Sequence, residues 1–450
     1  MAANRTRRSS LFSALVLLLF GVLFLIHNYR GGLDFGHLFR HWWPLLLILW
    51  GLTKLYERTA ARRLGAAGSG AITTGEVFLV LLLLALVGIF AASDFVLRKN
   101  PEIGDVFGNS YTYDLDVAPR AVPANARITI RNGRGDIRVR AGDTAQIRLS
   151  AKKNIRAWSK SEAQRLAAPA SLQIVQEGDA YEVRPAGYDP GDRRIAMDLD
   201  VEVPRKAILT IRKEGGNVEV SDVAGEIDIT SQTGDIEVRE AGSDVSVDLR
   251  RGDVKVSGVN GDVKLSGRGG EVEVINATGG LTLDGEFYGP IRAEKVAKGV
   301  RFISHRTDLT LTQLAGHLEA GSGNLDIFDS TGNLTLRTNS YDITLDNVTG
   351  KLKIDNRDGD VKLRFASPPK EDVEITNKSA GITLMLPAAS AFTIAADSHS
   401  GDIDSEFDAA SLKKTTTESG DAHLEGQLGA HGPKITLKTS YGSIALHKGT

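Results

Sequence analysis

From Gly216 onward the sequence repeats every nine residues, and this period restricts the possible folds more than any other feature. In register the units read Gly216-Asn217-Val218-Glu219-Val220, Gly225-Glu226-Ile227-Asp228-Ile229, Gly234-Asp235-Ile236-Glu237-Val238 and Gly252-Asp253-Val254-Lys255-Val256. Gly261-Asp262, Gly270-Glu271 and Gly279-Gly280 continue the frame. It blurs near Gly289, loses two residues between Gly316 and Gly323, and resumes at Gly332, Tyr341, Gly350 and Gly359. Beyond that the marks stand farther apart, at Gly381, Gly401, Gly420 and Gly442.

Each unit carries two aliphatic residues separated by a polar one, the alternation of a short strand with one buried face. The Gly-Asp or Gly-Asn in front supplies the left-handed or strained backbone of a sharp corner. Such corners are expected at Gly135, Asp136, Gly234, Asp235, Gly252, Asp253, Gly261, Asp262, Gly359, Asp360, Gly401 and Asp402. A strand of about five residues buries nothing alone and becomes stable only when stacked on its neighbours. Successive corners differ, Asp222-Val223-Ala224-Gly225 against Ser231-Gln232-Thr233-Gly234, so the natural coil is two units, or eighteen residues. The expected fold is all-β, a single-chain β-solenoid with about 18–22 residues and two short strands per coil. Eight coils from Gly216 to Phe365 would stack to about 40 Å. Alternation does not fix strand direction, so a β-sandwich and an antiparallel meander remain open beside it.

Residues 99–213 read as an irregular β lead-in to a solenoid repeat over 214–450. Strands are expected over Ala126 to Val139, about a Gly-rich turn, and at Gln146–Leu149, Leu172–Val175, Ala180–Val183 and Met197–Val203, the last stopped by Pro204. Helix formers after Ser159, a potential N-cap, predict a short helix near 159–168. The turn Asn132-Gly133-Arg134-Gly135-Asp136-Ile137, a helix-bearing insert, Val203-Pro204 and the serial Gly-Asp corners together resemble the bacterial adhesin-type β-strand-repeat domain family over roughly 110–447. The resemblance implies this fold and an envelope location, with adhesion or scaffolding as the role.

The first 98 residues read as a membrane domain with helices near 10–28, 41–56 and 76–97. No formal charge lies between Arg8 and Arg30, a stretch long enough to cross a hydrocarbon core of about 30 Å. No small-x-small cleavage site follows it, so it reads as an uncleaved anchor. The second segment is short, with Trp42, Trp43 and Tyr56 placed for the two membrane interfaces. A re-entrant or interfacial helix is its alternative reading. Arg5, Arg7 and Arg8 in front, and Lys54, Arg58, Arg62 and Arg63 in the second loop, put the N-terminus and that loop in the cytoplasm. Three spans then leave everything after Arg98 outside the cell. Trp42-Trp43-Pro44-Leu45 followed by Leu49-Trp50-Gly51, after an apolar run, resembles the LiaI–LiaF-like transmembrane region of bacterial envelope-stress regulators.

The absence of cysteine excludes disulfides, thiolate metal sites and a cysteine nucleophile. A net charge of −2 with both signs abundant gives no reason to expect nucleic acid as partner. The histidines are scattered without metal-ligand spacing, and no nucleophile elbow or phosphate loop is present. At eighteen-residue spacing Glu219, Glu237, Lys255 and Glu273 should form one outward row, and Asp228, Ser246, Lys264 and Thr282 another. Glu219 over Glu237 is the best carboxylate pair for an enzymatic reading, as in proteins that cleave polysaccharides, against two solvated acids as its plain reading. One Asp per corner is too few oxygens for a calcium ladder. Two Arg-Gly-Asp tripeptides, at Arg134 and Arg251, coincide with the repeat's own corners. Phe287-Tyr288, where the period blurs, is the best local candidate for an aromatic contact patch.

The expectation is a non-catalytic, cofactor-free membrane protein. Its partners would be the lipid bilayer and an envelope protein or cell-wall polymer, and it would self-associate through the last strand, Ser443 to Leu446. The alternative is a stress sensor acting through its membrane hairpin on a sensor kinase.

Overall fold

The computed structural model describes residues 108–449, together with the helical positions Ile48, Leu52 and Leu55. Apart from those three positions, the apolar segments expected near 10–28, 41–56 and 76–97, with Trp42, Trp43 and Tyr56, lie outside the described residues. Among the described residues no helix is long and apolar enough to cross a membrane.

The described chain is all-β apart from one helix, α1 (Lys160–Ala167), N-capped by Ser159, whose hydroxyl accepts from the Glu162 N–H. Strands alternate between two open sheets whose apolar faces share one core. In the second sheet Ile227 pairs with Val245, Val245 with Val263 and Val263 with Leu281, each parallel and eighteen residues apart. In the first sheet Val218, Ile236, Val254 and Val272 step in the same way. Parallel registers at a constant step select the coil over the meander and the sandwich. Inward residues such as Ile229, Val247, Leu265, Val238 and Val256 are buried within one core. Close parallel stacking with Val, Ile and Leu inside is where β-branched side chains pack best.

The period blurs where the winding reverses. Both ladders first lengthen their step to nineteen residues, Val272 to Ile291 and Leu281 to Val300. Strand Val300–Ile303 then turns back on Thr307–Leu311, and Leu314–Ala320 runs antiparallel to both Ile291–Val296 and Asn324–Ser330. One coil is thus wound in the opposite sense, after which the step of eighteen resumes at Asn324↔Asp342 and Leu334↔Leu352.

Sequence order fails at both ends of the stack. Strands Arg127–Arg134 and Ile137–Gly142 already form a regular coil inside the expected lead-in. That coil lies between Ala180–Ala186 with Ile195–Pro204 on one side and Ile208–Gly215 with Val218–Ser221 on the other. At the far end, Lys434–Thr439 is inserted between Val373–Asn377 and Phe392–Ser398, and Ile444–Gly449 between Ile382–Pro387 and Ile403–Ser405. The last described strand is therefore not an edge, contrary to the expectation that self-association would use it. It has strand partners on both sides because the chain returns into a slot left open for it. Among the described strands the edges are Asn109–Ala121 and Ile403–Ser405 in the first sheet, and Ser171–Glu177 and Leu412–Thr416 in the second. Three-residue Ile403–Ser405 and Lys-bearing Leu412–Thr416 are poor templates for aggregation.

Candidate functional site

Corner chemistry comes first, because it decides which polar groups are free to act. Gly234 has φ 118°, and a Cβ there would lie 1.9 Å from the Gly216 carbonyl oxygen of the coil below. Gly135, Gly252 and Gly359 share the positive φ, whereas Gly261 and Gly401 do not. Gly261 is needed for space instead, since its Cβ would meet Asp244 Oδ1 at 2.4 Å.

The aspartate after each glycine accepts a hydrogen bond from the backbone N–H of the next coil. Asp136 takes the N–H of Asn217 at 2.8 Å, Asn217 that of Asp235 at 2.9 Å, Asp235 that of Asp253 at 3.0 Å, and Asp253 that of Glu271 at 2.8 Å. Asp262 accepts from Gly280 at 2.8 Å, and Asp360 from Gly381 at 3.0 Å. Asp402 departs from the pattern: it accepts from its own neighbour Ile403 at 2.8 Å and pairs with Lys414 at 2.8 Å. The Asp or Asn preference is thus a requirement for a short side chain with an acceptor oxygen, satisfying a donor that the corner strips from the ladder. Asn217 and Asn333 fill the position as well as Asp does, so charge is not what the site needs. Both Arg-Gly-Asp aspartates, Asp136 and Asp253, are committed to this ladder.

The outward rows stack in the expected order, Glu219–Glu237–Lys255–Glu273 on the first sheet and Asp228–Ser246–Lys264–Thr282 on the second. Arg239 reaches Glu219 at 3.1 Å and Glu237 at 2.6 Å, and Arg138 lies 3.6 Å from Glu219. A guanidinium between the two acids cancels the repulsion that a proton-sharing carboxylate pair exploits. Phe287 packs partly against the core while Tyr288 is 77% exposed, so the two rings do not form one platform.

At the C-terminal end a groove of about 690 Å³ opens over the second sheet. Its charged lining comprises Asp355, Arg357, Lys378, Asp397, His399, Asp421, His423 and Lys438. His399 Nδ1 meets Asp421 at 2.5 Å and His423 Nδ1 meets Asp397 at 2.7 Å. The Asp421 carboxyl is held below its ordinary range, first by the Ser419 hydroxyl and then by His399. Sequence spacing could not reveal these pairs, because they form across the antiparallel pairing of Phe392–Ser398 with Ala422–Leu428, whose register no local pattern encodes. Among the described residues no Ser or Thr hydroxyl is hydrogen-bonded to either imidazole ring. Among the described residues, no group of three or more His, Asp or Glu is arranged to hold a metal. The arrangement offers balanced charge and hydrogen-bonding groups for contact, not an assembled nucleophile.

No curated protein matches the chain. Similar solved structures include a candidate cell adhesion protein from Clostridium sporogenes, 9% identical, covering 76% of this chain and 100% of that one with a TM-score of 0.17. A candidate adhesin from Bacteroides fragilis is 9% identical over 75% of this chain and 97% of its own, TM-score 0.17. A candidate lipid binding protein from Parabacteroides distasonis is 12% identical over 76% and 98%, TM-score 0.19. Likeness at that level says nothing about function. Residues 11–55 match the LiaI–LiaF-like transmembrane region. Residues 125–447, well over half of the sequence, match the profile named Toastrack, and the chain belongs to the Toastrack DUF4097 family.

Proposed function

We propose that the chain is a non-catalytic bacterial envelope protein, held in the cytoplasmic membrane by three N-terminal spans, that presents its coil stack outside the cell as a rigid contact surface. The observation carrying this reading is the pair of continuous outer faces, on which rows such as Glu219–Glu237–Lys255–Glu273 repeat at strand spacing, about 4.8 Å. A surface with that translation suits binding along a length, to an envelope protein or to a cell-wall polymer that itself repeats. Most ion pairs on it are exposed and worth at most about 1 kcal/mol each, so they leave the side chains available to a partner. Edge strands Asn109–Ala121 and Ser171–Glu177 offer a second kind of contact, by strand addition or self-association.

The cysteine-free background makes orientation directly measurable. Single cysteines replace Ser69, in the loop read as cytoplasmic, and Ser322, an exposed turn residue of the stack. A membrane-impermeant maleimide applied to intact cells should label Ser322→Cys and not Ser69→Cys. Labelling of neither until lysis would place the stack in the cytoplasm and remove the surface reading. The match of residues 11–55 to the LiaI–LiaF-like region favours a second reading, regulation of a stress-sensing kinase through the membrane hairpin. Deleting residues 1–56 while keeping the third apolar segment should then abolish control of stress genes, whereas a scaffold keeps its surface binding.

A further inference from the structure

We propose that the N-terminal end of the stack carries a binding site for phosphate oxyanions, built from Arg134, Arg156, Arg193 and Arg194. These arginines line a groove of about 810 Å³, within the size range of ligand pockets. They come from separate parts of the chain: the last residue of strand Arg127–Arg134, strand Gln146–Ala157, and the loop before Ile195–Pro204.

Charge distinguishes this groove from its C-terminal counterpart. There, Arg357, Lys378 and Lys438 face three aspartates, Asp355, Asp397 and Asp421. Here the lining holds four arginines and one acid, Glu214, and the neighbouring Asp192 grips Arg194 through two hydrogen bonds of 3.0 and 2.8 Å. Neither Arg134 nor Arg193 has a carboxylate partner among the described residues, in a molecule whose net charge is −2. Two guanidinium groups without carboxylate partners, Arg134 and Arg193, lining one groove are the chemistry that selects phosphate, because their planar forks match its oxygens in pairs.

The site is also held in place before any ligand arrives. In the loop Asp189 accepts from the Gly191 N–H at 2.9 Å, and the Arg156 N–H donates to the Arg194 carbonyl at 2.9 Å. Tyr188 packs against the core beneath, and Gly133 approaches the Pro190 carbonyl so closely that a Cβ would lie 2.4 Å from it. A fixed loop loses little entropy on binding. A lipid headgroup and a free phosphate polymer both present this oxyanion to the groove.

The test uses the full chain in uncharged detergent, titrated with inorganic tripolyphosphate in a calorimeter. Saturable binding is expected, weakened about tenfold or more in Arg134→Gln/Arg193→Gln, since two charge-assisted contacts are lost. Lys351→Gln/Lys370→Gln, the same two-charge change at distant exposed positions, should bind as the parent does. Equal loss in both variants, or no saturable binding, overturns the proposal. If the double variant melts early, Arg193→Gln alone, in the exposed loop, carries the comparison. Reconstitution in vesicles of phosphatidylcholine with or without phosphatidylglycerol separates the sources. A weaker apparent tripolyphosphate affinity only with phosphatidylglycerol, lost in Arg193→Gln, identifies a headgroup. Equal affinity in both vesicles identifies a free phosphate polymer. The maleimide labelling is unaffected by these variants, so failure here leaves the orientation test standing.

Discussion

Lys213 is the most informative single residue in the stack. It is only 4% exposed, and its ammonium donates to the carbonyls of Gly135 and, at 3.1 Å, Asn217. The equivalent positions in the coils on either side are Asn132 and Ser231. Farther along, the same inner corner is lined by Thr338, Asn356, Asn377, Thr439 and Ser398 in consecutive register. Asn356 donates to the carbonyls of Tyr341, Asp358 and Gly359, doing with an amide what Lys213 does with a charge. Burial pushes the Lys213 pKa down from 10.5 to about 8, against the pull of Asp136 and Asp198. The unfolded chain keeps lysine's ordinary value, so above about pH 8 it binds more protons than the folded chain and stability rises with pH. The window closes near pH 10, where the Tyr188 hydroxyl, raised by burial from 10.0 to about 12, begins to act in the opposite direction. Urea unfolding at pH 7.5 and pH 10 should show the parent gaining roughly 1–3 kcal/mol relative to Lys213→Asn. Parallel pH profiles for the two proteins would mean that the ammonium is solvated in the fold.

At the scale of the element, the coil itself was legible in the sequence, since a fixed nine-residue period with two inward aliphatics per unit has few solutions. Even the outward rows follow, because an eighteen-residue step determines which side chain lies over which. The Asp–backbone ladder was less visible: Gly-Asp reads as a turn signal, and only the alternation with Asn217 and Asn333 hinted at an acceptor requirement. Strand Asn109–Ala121 and the C-terminal groove were hidden for a different reason. Their partners are fixed by long-range pairing, Asn109 with Ala157 and Asp397 with His423, and no local pattern encodes such a register. Capping at that end rests on Lys414 with Asp402, His447 with Glu406 at 3.0 Å, and the two histidine–aspartate pairs of the groove. Phe392 and Phe407 meet edge-on at 5.3 Å beneath them. Asp402, Glu406 and Asp421 all have carboxyls held below their ordinary range, chiefly by hydrogen bonds from Lys414, the Lys448 N–H and Ser419 respectively. Their contribution is complete above the ordinary carboxylate pKa and fades as pH falls through the lowered folded values. Hydrogen exchange, corrected for its intrinsic rate, should therefore loosen strands Leu412–Thr416 and Ala422–Leu428 between pH 6 and pH 3 before the coils over 227–265 respond. Simultaneous loosening of cap and coils would show that the cap has no separate stability.

For the whole described stack, the inserted coils change how stability is shared. A plain solenoid is a sum of nearest-neighbour interfaces and can fray from its ends. Here each end is tied by a coil whose neighbours are remote in sequence: Val373 lies beside Ile435, whereas internal coils pair across eighteen residues. Losing an end coil leaves two facing strand edges without partners, so the ends should be the least tolerant part of a repeat protein whose middle is interchangeable. Deleting the eighteen residues 245–262 removes one complete coil and lets Ile227 face Val263 in the register that Val245 now occupies. Two inward rows are shortened by one residue pair each, and the corner ladder closes again through Asp235 and Glu271. Deleting nine residues, 245–253, keeps the repeat motif but sends every later strand to the opposite sheet, where the differing corners no longer match. A cooperative thermal transition within a few degrees of the parent is expected for the first deletion. A large drop, or no transition, is expected for the second and for a chain ending at Ala430. If the nine-residue deletion folded as well as the eighteen-residue one, the single unit would be the structural repeat and the two sheets interchangeable.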